Sequence, residues 1–164
     1  MRRLAVLTAA SLLFAAAAAA KVSHNGWPRI DGVFVIHDEN EETPMHGTAR
    51  SDKLLGGNGD DTIYGGPSSD VLWGSYNPDQ PTTTVDRIWG GDGRDYIYAA
   101  HGRNVIYGGR GNDYIHAHYG RGLVDCGPGR DLVYFSHRRR HGWKARHCER
   151  VTYHSGTSTL TPQG

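Results

Sequence analysis

The sequence predicts an all-β chain: a parallel β-roll (a β-solenoid) of nonapeptide repeats with short N- and C-terminal caps. Three full copies of the pattern G-G-x-G-x-D-x-U-x, where U is a large apolar residue, occur in the chain, and degenerate copies keep the same phase. Glycine accounts for 23 of 164 residues, so a conventional apolar core cannot be filled. Both observations favour a solenoid, in which each repeat packs only on its neighbours.

The first twenty residues differ from the rest of the chain. Arg2 and Arg3 precede an apolar run and an alanine tract that ends at Ala20, an order typical of a secretory signal peptide. A membrane anchor is the alternative, but the apolar part is shorter than the roughly 20 residues of a membrane span. We therefore expect residues 1–20 to be a signal peptide, the mature chain to be secreted and extracellular, and no segment to span a membrane.

Charge and cysteine content narrow the class of protein further. Without Arg2 and Arg3 the chain has 16 Lys+Arg and 17 Asp+Glu, so its net charge is close to zero. A chain with this balance lacks the overall positive charge that is typical of proteins that bind nucleic acid. In an exported protein the two cysteines, Cys126 and Cys148, most simply form one disulfide. A zinc site that uses Cys126 and nearby histidines is the alternative, which the oxidising compartment disfavours.

The repeats divide the mature chain into three parts. Residues 21–46 are a cap segment, in which Val33 to Ile36 form a capping strand, and residues 135–164 are a basic cap and tail. Residues 47–134 form the roll, with a seven-residue loop insertion within the unit 74–89. The full copies of the repeat lie at 56–64, 90–98 and 108–116. The degenerate copies lie at 47–55, 65–73, 99–107, 117–125 and 126–134.

Each repeat combines a tight turn with a very short strand. Glycines allow the first six residues to turn, and the last three alternate outward, inward and outward. Two repeats make an 18-residue coil, and successive coils stack roughly 4.8 Å apart as parallel strands. The inward residues are predicted to be Leu54, Ile63, Leu72, Ile88, Ile97, Ile106, Ile115, Val124 and Val133.

The aspartate at position six of the repeat predicts calcium sites, because Ca²⁺ takes six to eight oxygen ligands and a glycine turn exposes carbonyls beside that carboxylate. Turns two repeats apart share one side of the roll. On one side position six is Asp52, Asp70, Asp95, Asp113 and Asp131. On the other side it is Asp61, Asp86, Asn104 and Gly122. We predict the calcium row on the first side, with its strongest sites between Asp95 and Asp113 and between Asp113 and Asp131. Asp52 and Asp70 are weaker candidates because their turns lack the second glycine.

A metal-free solenoid is the alternative, since aspartate and glycine suit turns in any protein. However, a row of carboxylates stacked at strand spacing would repel without cations. The repulsion favours the calcium interpretation.

These residues resemble the RTX, or hemolysin-type, calcium-binding repeat family over roughly residues 47–134. The resemblance implies a right-handed parallel β-roll and a small exported repeat protein. It also implies that calcium is held by Asp61, Asp95, Asp113 and Asp131 and by turns shaped by Gly57, Gly59, Gly91, Gly93, Gly109 and Gly111. Two departures matter. RTX toxins leave the cell through a dedicated channel and carry a catalytic or pore-forming domain, whereas this chain has an N-terminal signal and no room for such a domain.

Two surface features allow more than one interpretation. The basic segment 137–150 could contact polyanions, but a solvated C-terminal cap is the simpler interpretation. Outward tyrosines at strand spacing could form a platform for sugar rings, or they could stabilise a thin roll by cross-strand packing. The tyrosines of this possible ligand face are Tyr96, Tyr98, Tyr114 and Tyr134.

No catalytic motif of the H-E-x-x-H or G-x-S-x-G type is present. The sequence therefore predicts a secreted, non-enzymatic protein whose repeat turns bind Ca²⁺ and fold on binding. The alternative is an extracellular adhesin or glycan-binding module that presents an aromatic face on a calcium-stabilised roll. Its partner would be a cell-surface or extracellular polysaccharide.

Overall fold

The structure, a computed structural model, describes residues 26–37, 43–75 and 83–154. The predicted signal peptide, the insertion at residues 76–82 and the end of the tail at 155–164 lie outside the described residues. Within the described ranges no helix is long and apolar enough to cross a membrane.

Two parallel β-sheets form the molecule, and consecutive strands alternate between them. The first sheet contains, in order, β1 (Phe34–Ile36), β3 (Lys53–Leu55), β5 (Val71–Trp73), β7 (Tyr96–Tyr98), β9 (Tyr114–Ala117), β11 (Leu132–Ser136) and β13 (Arg150–His154). The second sheet contains β2 (Met45–His46), β4 (Thr62–Pro67), β6 (Val85–Asp92), β8 (Arg103–Arg110), β10 (Arg121–Asp125) and β12 (Trp143–Arg146). A 3₁₀ turn at Arg140–Gly142 precedes β12. The predicted all-β solenoid of parallel strands is therefore confirmed.

The interior of the roll is a double column of aliphatic side chains. All nine residues predicted to point inward are fully buried, with an exposed fraction of 0%. Along the first sheet Leu54 pairs with Leu72, which pairs with Ile97, so the column advances by one side chain per coil. The core is consequently continuous but only two side chains wide.

Both predicted cap segments continue the two sheets. At the N-terminal end β1 pairs with β3, as predicted for the capping strand, and β2 pairs with β4. At the C-terminal end the predicted cap supplies β12 and β13, which pair with β10 and β11. Trp143 is buried there against Phe135, with ring centroids 5.8 Å apart, and the predicted disulfide joins Cys126 to Cys148. The basic segment 137–150 thus lies in the last coil of the described roll.

Candidate metal site

A ladder of hydrogen bonds connects the position-six aspartates on one side of the roll. The backbone N–H of each aspartate donates to Oδ1 of the aspartate in the next coil. The four bonds run from Asp52 to Asp70 (2.7 Å), Asp70 to Asp95 (2.9 Å), Asp95 to Asp113 (2.9 Å) and Asp113 to Asp131 (2.8 Å). The seven-residue insertion lengthens the separation between Asp70 and Asp95 from 18 to 25 residues without breaking the ladder. The predicted stacking of these five residues is confirmed.

The second carboxylate oxygen, Oδ2, of most aspartates in the row is available to bind a cation. In Asp70, Asp95, Asp113 and Asp131 the Oδ2 atom is buried and accepts no hydrogen bond from the described part of the chain. These four side chains are at most 2% exposed. Because a buried polar atom without a partner is costly, each Oδ2 is a position at which a cation would be stabilising.

Backbone carbonyls converge on the same space. A Cβ placed on Gly90 would lie 2.2 Å from the carbonyl oxygen of Gly108 and 2.4 Å from Oδ2 of Asp95. At Gly108 the equivalent atom would lie 2.4 Å from the carbonyl oxygen of Cys126 and 2.6 Å from Oδ2 of Asp113. A carboxylate oxygen from one turn and a carbonyl oxygen from the next thus approach each other where the first glycine of the repeat leaves room. This is the hard-oxygen donor set that Ca²⁺ prefers.

Burial without a counter-ion raises the pKa of these carboxyl groups. The pKa reaches about 8 for Asp95, about 7 for Asp70 and Asp113, and about 6 for Asp131, because burial disfavours the charged form. Neighbouring carboxylates raise these pKa values further, while the N–H donors of the ladder lower them. Without metal the row is therefore partly protonated near neutral pH.

We expect the metal-free protein to become more stable on acidification. Unfolded aspartates titrate near pH 4, so between about pH 4 and pH 8 the folded chain binds more protons and the unfolding free energy falls as pH rises. Far-UV circular dichroism of protein stripped on a chelating resin should therefore show a larger folded fraction at pH 5 than at pH 8. Saturating calcium should reverse this pH dependence, because the ion requires ionised ligands. The same pH dependence with and without calcium would contradict this account.

Asp52, at the N-terminal end of the row, differs from the others. Its Oδ2 accepts hydrogen bonds from the backbone N–H and the hydroxyl of Thr48, which occupies position two of the repeat. Its Oδ1 accepts a hydrogen bond from the N–H of Val33. Both oxygens are therefore engaged by the protein, and the weaker metal site at Asp52 stays a prediction.

The opposite side of the roll loses its carboxylates toward the C-terminus, as predicted. Asp61 donates its N–H to Oδ1 of Asp86, and its own Oδ1 lies 3.4 Å from Nδ1 of His37. Asn104 instead bonds to a residue of its own repeat. Its amide oxygen accepts the N–H of Ala100, and its amide nitrogen donates to the Ala100 carbonyl. Gly122 follows with no side chain, so the described chain offers one acidic pair on this side.

Glu149, which the sequence interpretation did not single out, ends the acidic row. Its Oε2 accepts the N–H of Asp131 at 2.8 Å, in the way that each aspartate accepts from the preceding coil. Residue 149 lies 18 residues after Asp131, so the coil length was the signal that could have found it. The glutamate satisfies the last N–H of the ladder on the exposed coil.

Most of the glycines predicted to shape the turns have a positive φ. They are Gly59, Gly91, Gly93, Gly109 and Gly111, with φ values between 113° and 142°. Gly57 also lies in a turn, but its φ is not in the positive region. In the weaker turn before Asp70, Ser68 takes φ 84° where other repeats have glycine, a strained conformation for a residue with a side chain.

The possible ligand face of tyrosines on the first sheet is not fully open. Tyr96 is only 5% exposed, so the expectation that it presents its ring to a ligand is corrected. The N-terminal segment crosses this face: Trp27 packs edge-on against Tyr98 and donates its Nε1–H to the tyrosine hydroxyl at 2.7 Å. Tyr114 and Tyr134 are half-buried and lie against each other, with centroids 4.9 Å apart.

Aromatic rings also stack along the second sheet. Centroid distances are 4.8 Å from His46 to Tyr64, 4.7 Å from Tyr64 to Trp89 and 5.6 Å from Trp89 to Tyr107, with interplanar angles of 9°, 16° and 15°. Rings stacked face to face in this way cover each other's faces and leave their edges to solvent. The packing therefore supports cross-strand stabilisation rather than a platform for sugar rings.

Metal binding in this molecule would depend on carbonyls as well as carboxylates. Among the described residues no group of three His, Cys, Asp or Glu side chains converges as a metal cluster. The aspartates stack singly, one per coil, so a hard cation would need the turn carbonyls to complete its coordination.

A comparison with protein families matches residues 46–75 and 82–116 to the model of the RTX calcium-binding nonapeptide repeat, in four copies. The break between the two matched stretches falls within the predicted insertion. Neither curated proteins nor solved structures give a significant match.

Proposed function

The repeat region of this chain belongs to the RTX calcium-binding nonapeptide repeat family, and from this premise we propose that the protein is a secreted, non-enzymatic calcium-binding module that folds when its turns bind Ca²⁺. The observation that carries the proposal is the row of buried Oδ2 atoms without protein partners. Asp70, Asp95, Asp113 and Asp131 would hold the ions together with carbonyls of the stacked turns.

The free-energy balance of the roll supports coupled folding and binding. Each repeat buries about one large aliphatic side chain, which is little to set against the conformational entropy of nine residues. The stacked carboxylates add repulsion when they ionise, and burial makes their charged form costly. Bound Ca²⁺ supplies the missing positive charge and adds its binding free energy to folding.

Export rests on the sequence of residues 1–20, and the disulfide fits an oxidising compartment. Calcium sites in extracellular modules typically have Kd of about 10⁻⁴–10⁻³ M. A protein with such sites stays loose while calcium is scarce and becomes rigid once outside the cell. The non-enzymatic role is supported by Asp70, Asp95, Asp113 and Asp131, whose Oδ1 atoms accept the N–H groups of the ladder.

Far-UV circular dichroism of the oxidised protein during a calcium titration tests the proposal. We expect a cooperative gain of β-signal at millimolar calcium or below, starting from protein stripped of metal at neutral to alkaline pH. Magnesium serves as the matched control, because it demands octahedral geometry at shorter distances and should give a much weaker response. A protein already folded without metal and indifferent to calcium would overturn the coupled-folding mechanism.

A further inference from the structure

The exposed large apolar side chains of the roll are concentrated at its two ends. In the described chain they are Val33, Phe34, Ile36, Tyr107, Tyr119, Val151 and Tyr153. Four of the seven lie on β1 and β13, and Val33 directly precedes β1. Phe34 and Tyr153 are 55% and 47% exposed, well above what their place on a packed strand would suggest.

β1 and β13 are the two edge strands of the same parallel sheet. Among the described residues β1 pairs only with β3, and β13 pairs only with β11. An exposed apolar edge strand is a template for pairing with another chain, and solenoids normally cover it with a polar cap. Here neither edge is protected by such a cap in the described ranges.

The inward column also continues to both ends. Val35 pairs with Leu54 at one end, and Val151 pairs with Val133 at the other. Val151 is 36% exposed because no further coil among the described residues covers it, and Val35 is only partly buried. A second copy placed end to end would put Val35 over Val151 in the column that the coils already build.

The sequence segment that contains β1 and the segment that leads into β13 are opposite in charge. Residues 31–42 contain five carboxylates and no lysine or arginine, whereas residues 137–150 contain six Lys+Arg and one carboxylate. The ion pairs found in the described residues are His37–Asp61 and His147–Asp125, so Lys144 and Arg146 are not neutralised by carboxylates. Two copies of the same segment would repel, and the two unlike segments would attract.

We infer that the calcium-loaded roll associates with a second copy of itself head to tail, with β13 of one molecule paired in parallel with β1 of the next. This contact joins two different surfaces. It therefore leaves one free end on each molecule and generates open chains of the protein rather than a closed dimer.

Sedimentation velocity of the oxidised protein at saturating calcium tests the inference. The wild type is expected to grow beyond a dimer as its concentration rises. Phe34→Lys with Ile36→Lys blocks one end, and Val151→Lys with Tyr153→Lys blocks the other, so each double variant should stay monomeric. An equimolar mixture of the two should form dimers and nothing larger, because only one unblocked pair of ends remains.

Tyr107→Lys with Tyr119→Lys is the matched control, since it charges exposed aromatic residues away from the ends and should leave the assembly intact. Circular dichroism at the same calcium concentration confirms that each variant is folded. A monomeric wild type overturns the inference. If hydrogen exchange then shows that β1 and β13 are protected in that monomer, other parts of the same chain cover these two edge strands. A wild type that stops at a dimer, or a mixture that stays monomeric, overturns it as well.

Discussion

The Asp113→Asn variant is expected to bind calcium at least about tenfold more weakly, a loss of ~1.4 kcal/mol. Asp113 lies in the middle of the row, between Asp95 and Asp131, so it would contribute to the sites on both of its sides. Asparagine retains an oxygen that can accept the N–H of Asp95, while its amide nitrogen replaces Oδ2 and cannot bind a cation. The substitution therefore removes the ligand atom and its charge and keeps the hydrogen bond of the ladder.

The same substitution should stabilise the metal-free roll at alkaline pH. Burial raises the pKa of Asp113 to about 7, so the wild-type protein must bury a charge there when the pH is higher. The neutral amide removes that cost. Opposite effects on the metal-free and the calcium-loaded protein would distinguish a calcium ligand from a residue that merely supports the turn, whose loss would weaken both.

Asp92→Asn is the matched control for this measurement. Asp92 lies in a stacked turn on the same side of the roll, at position three, and its side chain is exposed. We expect calcium affinity to stay within about twofold of the wild type, since a surface charge near the site contributes only weakly. Isothermal titration calorimetry would measure both variants. Equal losses in the two would indicate general electrostatics instead of specific ligands.

The repeat period explains why so much of the fold was predictable from the sequence. Once the nonapeptide phase is set, position eight must point inward, and Ile97 and Ile106 are accordingly fully buried. The same phase places Asp95 and Asp113 in one row, because residues 18 apart occupy equivalent positions in adjacent coils. Local turn chemistry and strand alternation determine these features without reference to distant parts of the chain.

Features outside the repeat pattern were not predictable in this way. The segment around Trp27 has no repeat phase: a Cβ placed on Gly26 would lie 3.8 Å from the hydroxyl of Tyr96, and Trp27 donates a hydrogen bond to Tyr98. Glu149 follows a turn without glycines, so it lies outside the repeat pattern. His37 approaches Asp61 from the N-terminal cap. In each case a contact between a repeat and a non-repeating segment decides the arrangement.

The largest loss of stability is expected from Gly111→Ala. Gly111 has φ 142°, and a Cβ added there would lie 1.5 Å from the carbonyl oxygen of Gly93 in the neighbouring coil. The clash is with backbone, which cannot move without separating two coils of the ladder. The unfolding free energy at saturating calcium should fall by about 3 kcal/mol or more in urea denaturation, because backbone strain and overpacking add.

Gly142→Ala provides the comparison that separates this effect from a general response to losing a glycine. Gly142 lies outside the positive-φ region, and the nearest atom to an added Cβ is Cβ of Arg121, at 3.0 Å. Its cost should stay within about 1 kcal/mol, since the strain is small and alanine lowers the entropy of the unfolded chain. Similar losses in the two variants would mean that the turns tolerate a wider spacing than the stacked coils show. A large difference would mean that Gly111 is required by the distance between the coils, the same distance that brings the carboxylates of the acidic row together.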